Sequence, residues 1–321
     1  MPDGGSGRSR YGLMMHPRDE ASSLGTVTVV IPVFGEGPHL ERVVTALLAQ
    51  TPRIERIIVS HSGPGDPTTR FSDVPEVTVL HSAERLYAGA ARNRGLAIAD
   101  TEWVAFIDED VIADRSWHAG LLAAIGEGQA DCIVGSVGYA ETGGYWGMCV
   151  WFIEFGSVHP YLPPRDIIAG PSANIAIRRS ALVNAGGFPE HWRRGQDAIA
   201  QMRLRENGAQ IVFSPQIKSG HVNLHGLRRM ISHLYDMGRS GCRVRRNFAM
   251  PGTSAANYPV LTIALLPARL LQMTRRAAAP GAPLAKFLAC FPGILVGLIA
   301  WNVGFSAESF ASRRTDISSY Y

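Results

Sequence analysis

Asp108, Glu109 and Asp110 follow directly on the apolar run Trp103-Val104-Ala105-Phe106-Ile107. Side chains alternate along a strand, so two acids two positions apart point the same way off the end of a buried strand. Such a pair suits a hard divalent cation, since magnesium or manganese is commonly shared between one or two carboxylates and a substrate phosphate. A solvated acidic turn is the other reading of the same tripeptide, and the surrounding elements must decide between them.

Those elements begin at Thr26, where the β-branched run Val27-Thr28-Val29-Val30-Ile31-Pro32 has the composition of a parallel strand buried on both faces. A turn through Gly35 and Gly37 leads to Leu40, Val43, Val44, Leu47 and Leu48, which follow helical spacing. Arg56-Ile57-Ile58-Val59-Ser60 reads as a second strand and Val77-Thr78-Val79-Leu80 as a short third. Residues 88–99 are Ala-rich and helical, and they feed the strand that ends at Asp108. Alternating strands and helices predict a doubly wound, mostly parallel, Rossmann-like sheet with right-handed crossovers. Ligands bind such sheets at the carboxyl ends of the strands, where residues 32–36, 60–66 and 108–110 all fall.

Residues 143–164 are crowded with Tyr145, Trp146, Trp151, Phe152, Phe155 and Tyr161 and carry few charges. Flat rings suit a ligand-facing surface or lid, for which residues 146–155 are the candidate; core packing is the alternative. Residues 197–208 have an acid at the start and a glycine at the end, as a helix should. A strand over residues 210–213 then leads towards His221. Beyond it come Arg228, Arg229, Arg239, Arg243, Arg245 and Arg246, and finally two apolar segments. As a helix, residues 287–305 would extend roughly 28 Å, just enough to cross a bilayer, with burial of both segments as helices on the protein itself as the alternative. Residues 258–271 are interrupted by Pro259, Pro267 and Arg269, which favours an interfacial or tilted helix.

At 321 residues the chain has room for a large domain plus an appendage. A net charge of +4 is too weak to argue for nucleic acid, but it permits attraction to anionic lipid if the cations cluster. Cys132, Cys149, Cys242 and Cys290 show no metal-binding or disulfide spacing, so buried reduced thiols are expected. Residues 1–25 lack an apolar core of the signal-peptide type and read as a disordered tail.

The ordered set Thr28-Val-Val-Ile-Pro-Val-Phe-Gly-Glu36, Ala88-Gly-Ala-Ala-Arg-Asn-Arg-Gly95 and Phe106-Ile-Asp-Glu-Asp110 resembles the family 2 glycosyltransferases of GT-A fold, in their membrane-associated bacterial form. Asn174-Ile-Ala-Ile-Arg-Arg179, Gly186-Gly-Phe188, Gln196-Asp197 and His221 continue the match in order. The resemblance implies a GT-A domain over residues 26–225, followed by a basic, hydrophobic, membrane-associating region over 226–321. It also implies a nucleotide-sugar donor, UDP- or GDP-linked, and Mg2+ or Mn2+. The reaction implied is inverting transfer of a single hexose-type sugar, in cell-envelope polysaccharide or glycolipid synthesis.

By that resemblance Pro32, Val33 and Glu36 line the nucleotide pocket, and Arg92 and Asn93 reach the donor phosphates. Asp108 and Asp110 occupy the metal and diphosphate positions, with His221 beside them, and Asp197 is the catalytic base. Displacement at an anomeric carbon needs a base for the acceptor's proton and positive charge on the departing diphosphate. A metal-bound acid is a poor base, so a separate carboxylate such as Asp197 is expected.

On the acceptor side the candidates are Asn174, Trp146 and Trp151. The acceptor is lipid-linked or membrane-proximal, on the cytoplasmic face, with residues 258–305 as an integral or peripheral anchor. Two departures stand out: Ser60-His61-Ser62 replaces the base-reading acid, and Gln196 replaces the acid that precedes the base. The Gln-x-x-Arg-Trp motif of processive synthases is missing from residues 233–241, which favours single-sugar transfer. These departures also keep open a degenerate membrane scaffold or binding subunit. A nucleotidyltransferase is the remaining alternative, but Phe34-Gly-Glu-Gly37 carries no basic phosphate-loop residue.

Overall fold

The structure is a computed structural model that describes residues 26–141 and 143–311. The N-terminal segment expected to be a tail therefore lies outside the described residues. Strands β1 (Val27–Phe34), β2 (Arg56–Ser62), β3 (Val77–Leu80) and β4 (Trp103–Ile107) are interleaved with helices α1 (Leu40–Leu48) and α2 (Ala88–Ile98). Every residue of β4 is buried, as is all of β1 before Phe34. This explains their continuous apolar sequence, because a strand covered on both faces has no polar side to show. β1 runs parallel to β2 and β4, and β2 parallel to β3.

The second half follows as β5 (Val111–Ala113), α3 (Trp117–Gly126), β6 (Cys132–Glu141), α4 (Gly144–Phe155), β7 (Arg165–Asp166), β8 (Asn174–Arg178), α5 (Arg179–Asn184), α6 (Gln196–Glu206) and β9 (Ile211–Val222). One sheet results, in the order β3-β2-β1-β4-β8-β6-β9-β5, with β7 paired on β9. The parallel pattern expected from the sequence holds through β4 and then gives way to mixed pairing. β8 lies antiparallel to both β4 and β6, while β6 and β9 are parallel. The resulting α/β sheet has its parallel half under the β1, β2 and β4 carboxyl ends, and β9 carries His221 back against β5.

Helices α7 (Leu227–Asn247), α8 (Thr253–Asn257), α9 (Leu265–Ala277) and α10 (Leu284–Phe310) complete the chain, with a 3-10 turn at Pro259–Ala264. α10 packs along α7 and across α4, and the sheet's apolar core continues into Met230, Leu234, Phe287, Ile294, Leu298 and Phe305. Two glycines bring the backbones of α7 and α10 together. A Cβ on Gly238 would lie 2.0 Å from the Trp301 carbonyl oxygen, and one on Gly304 would lie 2.1 Å from that of Tyr235. Glu308, 3% exposed, anchors the far end of α10 by accepting from Arg239 Nε (3.0 Å) and Arg243 Nη2 (2.9 Å). All four cysteines are buried and free.

Gly304→Val should therefore force the helices apart, at a cost of about 1–3 kcal/mol. A clear fall in melting temperature, with Ala307→Val on the exposed side of α10 as the silent control, is the expected result. Equal melting of the two variants would count against the close packing.

Candidate active site at the carboxyl edge of the sheet

The two acids after β4 do not project side by side as an unbroken strand would place them. The chain turns tightly there, with Val111 N–H donating to the Asp108 carbonyl at 3.0 Å. The turn sends Asp108 towards α2, where its Oδ1 accepts from Arg92 Nη2 at 2.6 Å. Asp110 is sent towards β9, where its Oδ2 lies 3.4 Å from His221 Nε2. The His221 ring is oriented from behind, with Nδ1 2.9 Å from Asn223 Oδ1. His221 and Asn223 are two positions apart on β9 and so share a face.

The electrostatics of this edge are tense. Burial pushes the Asp108 carboxyl up, the Arg92 guanidinium pulls against that, and the Asp110 charge adds to the rise. Glu109 is pushed up to about 7 by burial and by its two acidic neighbours. Burial disfavours a charged His221, but the hydrogen bond and charge of Asp110 outweigh it and raise the imidazole to about 9. Asp110 and His221 together offer a carboxylate and an imidazole that a divalent cation could share once it displaces the imidazole proton. Two ligating atoms 3.4 Å apart also fit the span of a single ion whose ligands sit at about 2.0–2.2 Å. No cluster of three ligating side chains is assembled among the described residues; an ion held here would need substrate oxygens or water at its remaining positions.

Arg92 is only 2% exposed and stacks near Phe188, with its guanidinium carbon 5.5 Å from the ring centroid. It serves Asp108, and among the described residues its Nε and Nη1 find no acceptor. Asn93 is used locally: its side chain donates to Phe188 O (2.8 Å) and to Glu190 Oε1 (3.0 Å), and accepts from Phe188 N–H (2.9 Å). These bonds dock the loop before α6 onto α2. Arg92→Met would strand a part-buried carboxylate beside Asp110. A loss on the order of 2–3 kcal/mol is expected, below the full value for a buried pair because Asp108 is one-third exposed. Adding Asp108→Asn should recover much of the lost melting temperature; no recovery would mean that Arg92 stabilises the fold by some other contact.

Pro32 and Val33 are buried near the carboxyl end of β1, in register with Ser60 and His61 of β2. Glu36 is exposed, 3.9 Å from Arg70. Next to it Phe34 is half-exposed under the Arg85 guanidinium, 4.4 Å from the ring centroid. Asp66 is committed locally, where its Oδ1 accepts from Thr68 N–H (2.9 Å) and Thr68 Oγ1 (2.5 Å). Those two bonds hold its carboxyl below the usual range.

Asp197 stands in the first turn of α6, where its Oδ1 accepts the Ala198 N–H at 2.8 Å. The approach to it is fixed by Gly195, at φ 82°, where a Cβ would come within 2.8 Å of Val244 on α7. Ser240 Oγ, also on α7, donates to the Arg194 carbonyl at 2.9 Å. His233 on α7 bridges Glu154 of α4 and Arg194, which lies 3.2 Å from its Nδ1. Phe155 packs on the His221 ring with 4.8 Å between centroids. A continuous set of contacts thus joins the Asp110–His221 edge to the start of α6 through α4 and α7.

The expected acceptor side chains are placed inside the framework. Asn174 is 1% exposed; its Oδ1 accepts from Trp117 Nε1 (2.8 Å), and its Nδ2 serves Ser136 O, Ile217 O and Ser219 Oγ. Trp151 is equally buried, with Nε1 donating to Val137 O and Gly138 O. Trp146 is half-buried against Tyr145. α4 is hence chiefly a core helix, the packing alternative for the aromatic stretch. Asn223, Glu154, His233 and Arg194 were not singled out from the sequence. Only Asn223 carried a local signal, its position two residues beyond His221.

The sequence profile of Glycosyl transferase family 2 matches residues 28–184. The pre-mycofactocin glycosyltransferase of Mycobacterium tuberculosis is 33% identical over 226 residues, which are 68% of this chain and 47% of that protein. The chain thus spans about half the length of that relative. The N-acetylglucosaminyl-diphospho-decaprenol L-rhamnosyltransferase of the same organism is 24% identical, over 65% of this chain and 81% of its own. Among solved structures, Staphylococcus aureus TarS 1-349 in complex with UDP-GlcNAc superposes with TM-score 0.51 at 13% identity, covering 88% of this chain and 91% of that one. GalNAc-T7 with UDP, GalNAc and Mn2+ gives TM-score 0.50 at 19% identity, over 65% of this chain and 45% of that one. The GT-A architecture and the ordered motifs from β1 to α5 agree with these likenesses, and the chain belongs to glycosyl transferase family 2.

Proposed function

We propose that the chain is an inverting, divalent-metal-dependent glycosyltransferase. It moves one hexose-type sugar from a UDP- or GDP-sugar to a lipid-linked or membrane-proximal acceptor at the cytoplasmic face of the membrane. The observation that carries this reading is the Asp110–His221 pair, set by Asn223 at the carboxyl edge of the sheet, with a separate carboxylate, Asp197, opening α6. Asp110 and His221, with Asp108 alongside, would hold Mg2+ or Mn2+, which when bound neutralises the diphosphate as it leaves. Asp197 takes the proton from the acceptor hydroxyl as that oxygen attacks the anomeric carbon from the face opposite the leaving group. Arg92 acts through Asp108 as a positioning residue. The decaprenol in the rhamnosyltransferase relative's name supports a lipid-linked acceptor. For the membrane, support comes from α10, the one helix among the described residues long and apolar enough to cross one.

Calorimetric titration with a panel of nucleotide sugars, with and without Mn2+, tests the proposal. A single preferred donor whose binding requires the metal is expected. Failure of every donor to bind would favour the degenerate scaffold instead.

A further inference from the structure

The C-terminal helices expose a continuous apolar surface. Along α10, Leu288, Val296, Ile299, Val303 and Phe310 fall on one helical stripe and face solvent, with Val303 53% and Phe310 72% exposed. The 3-10 turn at Pro259–Ala264 is fastened to the same end of α10, where Ser306 Oγ donates to Thr262 Oγ1 at 2.9 Å. It adds Val260 and Ile263, 72% and 76% exposed. A set of large aliphatic side chains this exposed marks an interaction surface.

The opposite stripe of α10 is not available for another partner. Ile294, Trp301 and Phe305 are buried, Gly304 touches the α7 backbone, and the Glu308 carboxylate is held by two arginines of α7. A bilayer-crossing α10 would have to abandon these contacts or carry α7 and α4 into the hydrocarbon with it.

Charge identifies what covers the exposed stripe. Between Asp236 and Glu308 there is no acidic residue, but there are seven arginines and one lysine. The rest of the chain has 23 basic against 27 acidic residues, so the net positive charge lies in this segment, although Arg239 and Arg243 are paired with Glu308 and Arg269 lies over the Trp301 ring. Arg275 at the end of α9 and Lys286 at the start of α10 are exposed. A second copy of this chain would bring the same cations against one another, whereas anionic lipid headgroups would neutralise them.

We propose that the α10 stripe and the 3-10 turn lie in the plane of an anionic lipid leaflet, immersed to the depth of their exposed side chains, so that the chain enters one leaflet without spanning the bilayer. Amphipathic elements bind interfaces in this way through apolar burial and attraction to anionic lipid. The inference fixes the mode of the membrane contact in the proposed function and does not depend on which sugar is moved.

Flotation of the purified full chain with vesicles tests it. Binding should be about tenfold or more stronger to vesicles with ~30% phosphatidylglycerol than to neutral ones, and weakened by high salt. Val260→Glu with Ile263→Glu should lower vesicle binding about tenfold without changing the melting temperature, since both side chains already face solvent. A tag fused after Tyr321 should be cut by protease from the same side of the membrane as one fused before Met1. Protection of the C-terminal tag on the far side would overturn the proposal in favour of a spanning helix. Absence of flotation, with or without a stable dimer in sedimentation, would overturn it too. Neither readout involves donor or turnover, so failure here is distinguishable from failure of the catalytic reading.

Discussion

Asp197→Asn is expected to lose sugar transfer by about a thousandfold while binding the donor and metal as the unmodified protein does. The substitution keeps an oxygen able to accept the Ala198 N–H, so the first turn of α6 and its docking on α7 should survive. It removes only the capacity to take up a proton. General bases contribute about 10²–10⁴ to rate, and an acceptor hydroxyl is a poor nucleophile until its proton has somewhere to go. Single-turnover assays with saturating acceptor, alongside donor calorimetry, separate the chemical step from binding. If transfer persisted at the unmodified rate, Asp197 would be a helix-start residue and nothing more, and the proton acceptor would have to be sought elsewhere on this edge.

The parts of the fold that could be read in the sequence are those whose cause is local. β1 and β4 announce themselves because burial on both faces leaves them continuously apolar, and α1 because its buried positions repeat at helical spacing. The site could be read as a set of motifs but not as an arrangement. Strand alternation predicts that Asp108 and Asp110 project together. The turn closed by Val111 separates them, and that turn exists because β5 must leave β4 to pair with β9, which lies 110 residues on from Val111 at His221.

The same limit explains Asn174 and Trp151. A polar or aromatic residue near a site looks like a ligand contact until the fold reveals that distant backbone carbonyls, those of Ser136 and Ile217 or of Val137 and Gly138, use up its donors. The Glu154–His233–Arg194 contact joins three segments with no shared pattern, so only packing could disclose it. α10 illustrates both sides. Its hydropathy is evident from composition, but its docking rests on Gly238 and Gly304, whose importance appears only where two backbones meet.

Asp110→Asn should abolish metal-stimulated transfer, by at least about a hundredfold, and weaken Mn2+ binding measured in the presence of the nucleoside diphosphate. The asparagine has the same shape and can still face His221 Nε2, so the change is one of charge at the position where the structure puts a carboxylate 3.4 Å from an imidazole. Asn223→Ala acts one step further out. It frees Nδ1 of His221 and lets the ring turn, with an expected loss of about tenfold in metal affinity, at the low end for an outer-sphere partner. Asp108→Asn should behave differently from Asp110→Asn, because the Asp108 charge is shared with a buried arginine. Removing it leaves Arg92 without a counter-charge, so this variant is expected to lose melting temperature as well as activity. Asp110→Asn should melt nearly as the unmodified protein does, because Asp110 is more than one-third exposed and its partner is a single histidine. The two acids of one tripeptide would then have separable duties, one tied to the fold through α2 and the other to the cation through β9. A metal response unchanged in Asp110→Asn, or identical melting of the two asparagine variants, would contradict that division.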